Sequence, residues 1–168
     1  MNGLTVVALI FLVIAVVVAL LFILNIGGSF FGTGKKIKVV VGSAEFLADV
    51  VDNALSRAQG LSGRDGLGKN EGMLFIFGSP SSLEFWMKDM KFPIDIIWIK
   101  TDSPPEVLPG KTSGGKVVGF SENAEPEPGK MLWELKKYLS PELADVVLEV
   151  NAGVVAELGI KIGDAVSY

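Results

Sequence analysis

The stretch EFWMKDMKFPIDIIWI, Glu84 to Ile99, decides how this chain folds. Leu83 to Met87 reads as one strand, Asp89 to Pro93 as a turn and Ile94 to Ile99 as a second strand, so a hairpin is predicted. Every residue from Ile94 to Ile99 except Asp95 is apolar, the pattern of a strand covered on both faces. Asp95 then shares a face with Ile97 and Ile99. A carboxylate placed there needs donors or a cation, because an unpaired one shifts its pKa or destabilises the fold. Lys88, Arg57 and Arg64 are the candidate partners. Two roles stay open for Asp95. It forms a structural ion pair or caps the turn, or else Lys88, Asp95 and one arginine line a pocket beside Trp86 and Trp98, an aromatic wall with a few convergent polar groups.

Outward from this stretch the chain is a series of short strands with small helices between them. Lys36 to Val41, Phe46 to Val51, Met73 to Phe77, Val117 to Ser121 and Val146 to Val150 have strand composition. Asn53 to Gln59 reads as a helix closed at Gly60, and Asn151 as the cap of a helix that stops at Gly159. Met131, Leu132, Leu135 and Leu139 have helical spacing, with Met131, Leu132 and Leu135 toward the core and Trp133 and Lys136 outward. Ser140-Pro141-Glu142 has the start signals of a further short helix. Lys100 to Lys116, with three prolines and three glycines, is a long irregular loop. The pattern predicts a β-rich α+β domain, a small closed or partly open β-barrel with two or three short helices, because closing a sheet removes its edges.

The 15 Lys and Arg and the 19 Asp and Glu all lie from Lys35 onward, so the first 34 residues carry no charged side chain. Within them Leu4 to Leu24 is 21 residues with only Thr5 polar, about 32 Å as a helix. Residues 1–26 are therefore expected to be a transmembrane anchor that is not cleaved, residues 27–35 a Gly-rich linker, and residues 36–168 one folded domain. This makes the protein a single-pass membrane protein. Lys35, Lys36 and Lys38 favour a cytoplasmic domain, whereas a domain of this size translocates largely regardless of charge, and the expectation leans to the extracytoplasmic side.

A net charge of −4 with no Arg-rich stripe argues against nucleic acid. Without Cys or His, thiolate nucleophiles, Ser-His-Asp triads and ordinary zinc sites are excluded, and no metal or cofactor is expected. GRDGLGKN, Gly63 to Asn70, matches a phosphate-binding loop up to its last position, where Asn70 replaces the Ser or Thr that holds magnesium; an ordinary Gly-rich turn is the better reading.

RAQGLSGR (Arg57 to Arg64), EGMLFIF (Glu71 to Phe77), FWMKDMKFPIDIIWI (Phe85 to Ile99), and VLEVNAG followed by GIKIGD (Val147 to Gly153, Gly159 to Asp164) together resemble the DUF192 family of uncharacterised proteins. The order and spacing match across about residues 37 to 168. The resemblance implies a compact barrel-like domain, often behind an N-terminal signal or anchor, with no established activity. It also implies recurrent polar positions at Arg57, Arg64, Lys88, Asp95, Glu149 and Asn151. The sequence departs from the family pattern at Ser62, at Asp89 and in the long Lys100 to Lys116 loop.

These readings make the domain a non-catalytic module that binds a small polar ligand or an envelope component, with Arg57, Arg64, Trp86, Lys88, Asp95, Glu149 and Asn151 as candidate ligand-binding residues. Two rivals stand beside it. One is a carboxylate-dependent hydrolase of envelope material, which requires two acids such as Asp89, Asp95 or Glu149 in one cleft. The other is a structural or assembly protein of the membrane, with the acidic Pro-rich segment Asn123 to Lys130 and the helix around Trp133 as its contact.

Overall fold

A computed structural model of the chain describes residues 35–107 and 112–168. The predicted anchor, with nearly all of its linker, lies outside these residues, and among the described residues no helix is long and apolar enough to cross a membrane. The elements are β1 (Lys36–Val41), β2 (Ala44–Val51), α1 (Ala54–Gln59), β3 (Glu71–Ser81), β4 (Glu84–Phe85), β5 (Ile94–Thr101), β6 (Gly114–Ala124), a 3-10 turn (Leu132–Glu134), β7 (Tyr138–Leu139), β8 (Ala144–Asn151), α2 (Val154–Leu158) and β9 (Ala165–Ser167).

Seven strands close a barrel in the order β1-β2-β3-β8-β5-β6-β9, with β9 returning to β1. All pairings are antiparallel except β2 with β3, which run parallel. A parallel pair needs a long crossover, and α1 with residues 60–70 supplies it. Asn53 starts α1 with a capping box: its side chain accepts from Ser56 N, and its own N–H donates to Ser56 Oγ.

Alternation along the strands separates two apolar layers. Val39, Val41, Phe46, Ala48, Leu74 and Leu148 belong to the inner one, with Ile97 and Ile99. Met73, Phe75, Ile96, Trp98 and Val147 point the other way and are roofed by Leu61, Leu83, Met87 and Met90. β5 and β8 carry residues of both layers, which is why they read as almost unbroken apolar runs. Gly72 is required where β3 passes close to β8: a Cβ there would lie 2.7 Å from the Glu149 carbonyl oxygen.

Asp95 belongs to the inner layer and is fully buried. Its partners are neither lysine nor arginine. Oδ1 accepts from the backbone N–H of Asn123 at 2.8 Å, and Oδ2 from that of Val155 at 2.9 Å. Asn123 has φ 50°, a left-handed conformation that Asn tolerates better than most residues. Val155 is the second residue of α2, whose first N–H groups have no partner within the helix. The structural role considered for Asp95 is thus filled by backbone donors on two other segments.

Four local predictions are corrected. Phe85 does not pair with β5: β4 is two residues long and joins β7 in a separate two-stranded sheet, so no hairpin forms across Asp89 to Pro93. The expected helix from Met131 shrinks to one 3-10 turn, which leaves Met131 and Leu132 exposed beside Trp133 (77% exposed) and buries Leu135. At Ser140 no helix starts. Its hydroxyl accepts from Leu83 N and its N–H donates to Leu83 O, the contacts that dock the β4-β7 pair. α2 starts at Val154 with Gly153 (φ 83°) as its N-cap, whereas Asn151, the predicted cap, ends β8.

Asp95→Ala leaves two buried N–H groups without acceptors, so urea unfolding of the chain is expected to show a loss of about 3 kcal/mol or more. Lys88→Ala, which removes an exposed side chain, should change stability by about 0.5 kcal/mol or less.

Candidate functional site

Strand register places Asp49, Met73, Glu149 and Ile96 in one row across β2, β3, β8 and β5. Met73 and Ile96 belong to the outer layer, so the row faces outward, away from Asp95, whose register partner Val150 lies in the inner core. The crossover after α1 and the segment after β4 fold over this row. They are locked together: Ser62 Oγ donates to Lys88 O at 2.7 Å, and Gly63 N donates to Asp89 O at 2.9 Å. Lys91 adds an ion pair to Asp65 at 2.8 Å.

Two of the candidate residues hold this cover in place. Arg64 pairs with the buried Asp49 at 2.8 Å. Asn151 Nδ2 donates to Gly68 O at 2.9 Å. Both clamp residues 60–70 onto the barrel wall. Lys88 is on the surface, ion-paired with its neighbour Asp89, and both line a small polar crevice with Glu127 and Lys130.

Between the end of α1 and β4 the cover leaves a groove of about 270 Å³. Its lining includes Arg57, Phe77, Phe85, Trp86, Met90 and Glu149. Phe85 organises the aromatic wall. It meets Phe75, Trp98 and Phe77 edge-on, with ring centroids 5.0, 5.3 and 6.3 Å away. Trp86 remains 39% exposed, with Lys137 Nζ 3.9 Å from its ring centre. Arg57 is fixed from three sides: it donates to Asp52 O at 2.6 Å and to Ile76 O at 2.8 Å, and its guanidinium carbon lies 4.9 Å from the Phe77 centroid.

Glu149 is the unusual group. It is 5% exposed, and among the described residues no hydrogen bond or ion pair reaches its carboxyl group. Burial pushes its pKa up to about 8. The chemistry on offer is therefore a protonated carboxyl that donates a hydrogen bond near neutrality and becomes an anion when something compensates the charge.

Of the seven candidates, the structure brings Arg57, Trp86 and Glu149 into one groove, uses Arg64 and Asn151 to hold its cover, and places Asp95 inside the barrel and Lys88 on the surface. Asp89, Asp95 and Glu149 do not share a cleft. Phe77, Phe85 and Met90 line the groove without having been singled out. Glu149 itself stands in the strand ADVVLEVN, which it shares with Asp145.

The raised Glu149 pKa has a sign. The unfolded chain ionises this group at the ordinary carboxylate value of 4.5 and the folded chain only at about 8, so folded stability is full below 4.5 and falls as pH rises to about 8. No histidine titrates in that window. Chemical unfolding between pH 5 and 8.5 should thus show a decline of a few kcal/mol that Glu149→Gln largely removes.

No curated protein matches the chain. Two solved structures resemble it across most of its length. A protein of unknown function from Novosphingobium aromaticivorans DSM 12444 is 27% identical with a TM-score of 0.68, covering 83% of this chain and 89% of that one. A protein from Sinorhizobium meliloti 1021 described as a "putative transcription regulator" is 28% identical with a TM-score of 0.66, covering 80% of this chain and 95% of that one. Residues 37–168 match the model of the DUF192 family, described as uncharacterized ACR, COG1430, and the chain therefore belongs to that family.

Proposed function

We propose that the domain is a non-catalytic module that binds a small ligand or an envelope component in the groove between α1 and β4, and that residues 1–26 attach it to a membrane. The observation that carries the binding role is an unpartnered, buried carboxyl on the floor of a cavity with an aromatic wall. Protein interiors rarely leave an acid without a partner, and the energetic cost is one that a ligand relieves. The groove is small for a ligand site, near the lower end of the usual range of about 300 to 1,000 Å³. A molecule about the size of one ring with a short polar arm fits that volume.

The hydrolase reading draws no support from the geometry. Its two acids would have to face one another across a cleft, whereas Asp95 has both oxygens on backbone donors inside the barrel and Asp89 is paired on the surface. Nucleic acid is likewise no part of this proposal, given the net charge of −4.

Ligand-observed NMR with a library of small aromatic compounds tests the groove. Hits should bind the wild type and Lys88→Ala alike, and weaken about tenfold in Trp86→Ala or Phe77→Ala, a loss of roughly 1.4 kcal/mol. Hits that ignore Trp86 and Phe77 would remove the groove from consideration. The anchor is tested separately. The full chain should stay in the membrane pellet after carbonate extraction, and deletion of residues 1–26 should move it to the supernatant.

A further inference from the structure

We propose that the ligand carries a protonated amine and that Glu149 is its counter-ion. This rests on the groove being the binding site argued above, and it names the class of molecule the groove selects.

Glu149 lacks a counter-ion among the described residues. The charged groups around the groove are Arg57 on α1 and Glu84 on β4. Arg57 is committed to the carbonyl oxygens of Asp52 and Ile76 and to the Phe77 ring. Glu84 is paired with Lys137 at 2.9 Å. In the same row, two strands away, Asp49 is already satisfied by Arg64. Burial alone accounts for the state of Glu149, and among the described residues no cation offsets it. The carboxyl oxygens nevertheless stay in contact with the groove: the sealed side-chain atoms without a partner among the described residues are Trp98 Nε1 and the Tyr168 hydroxyl oxygen.

An ammonium group entering the groove would supply the missing cation. The surrounding walls favour it as well, since aromatic rings present a negative face to cations. Phe77 and Trp86 show this attraction within the protein, in their contacts with Arg57 and Lys137. A neutral or anionic ligand, by contrast, would leave Glu149 as a protonated acid or repel its anion.

The binding step is a proton exchange. As the amine docks, the Glu149 carboxylic acid gives its proton to the buffer and the resulting carboxylate pairs with the ammonium; the ligand keeps its own proton. Near neutral pH, close to one proton is released per amine bound. Above the Glu149 pKa the release disappears.

Three probes of nearly equal size and different charge separate the possibilities: 2-phenylethylamine, 2-phenylethanol and 3-phenylpropionate. Calorimetry with the full chain, in phosphate and in MOPS at pH 7, two buffers of different ionisation enthalpy without a primary amine, reads both affinity and proton release. The amine should bind about tenfold tighter than the alcohol and release close to one proton. Glu149→Gln should erase both the preference and the proton release while keeping alcohol binding. Trp86→Leu, which spares Glu149, should weaken all three probes together. A thermal unfolding midpoint of Glu149→Gln no lower than that of the wild type at pH 7 establishes that it is folded.

Equal binding of the three probes, or a preference for 3-phenylpropionate that Arg57→Gln abolishes, would overturn the amine assignment and leave the groove as a binding site. Failure of every probe to bind at millimolar concentration would overturn both.

Discussion

The Asp95 carboxylate is the constraint on which the rest of the domain depends. A full charge inside an apolar barrel is tolerated only when its oxygens are occupied, and here both accept backbone N–H groups from segments 28 and 60 residues away. One donor fixes the left-handed turn at Asn123 where β6 ends, and the other fixes the start of α2, a helix of five residues that is too short to hold itself together. The charge therefore joins three parts of the chain that apolar packing alone would align less exactly in register. A backbone donor also has an advantage over lysine or arginine in this place: it occupies no core volume.

The groove follows from a second constraint, the parallel pairing of β2 with β3. An antiparallel neighbour could have been reached by a two-residue turn, but a parallel one requires the chain to travel back along the barrel. That return path, α1 and residues 60–70, lies over the outer row and turns part of a solvent-facing wall into a second buried layer. Arg64 and Asn151 pin it down, and the two-residue strand β4 meets it from the other side. The cavity is the space these two covers leave between them.

Strand positions were legible because period-two patterns and apolar runs are local properties, and the β-rich barrel was inferred from them. The barrel's closure and order were not, since they depend on pairings such as Val40 with Ser167 that no local signal specifies. FWM at Phe85 to Met87 has strand composition, yet Phe85 and Met87 pack onto the outer layer while Trp86 stays 39% exposed, and the strand pairs with β7 rather than β5. In KMLWELKK, Lys130 to Lys137, helical spacing met no apolar surface to pack against, and Met131 and Leu132 stayed in solvent. For the candidate site, a lone acid within an apolar run marked Asp95, whereas Glu149, which shares its strand with Asp145, entered only through the family resemblance. What separates a structural acid from an unpartnered one is the location of the donors: for Asp95 they arrive from distant segments, and for Glu149 none arrives among the described residues.

The seam of the barrel lies where β9 joins β1 and β6. Until Ala165 to Ser167 are in place, β1 and β6 are two open edges carrying unpaired N–H and C=O groups. A chain emerging from the ribosome therefore carries most of its core residues before it has any means of closing the sheet. Closure of the sheet hangs on this one three-residue strand. Whenever that strand is detached, the two edges are open to pairing with other chains.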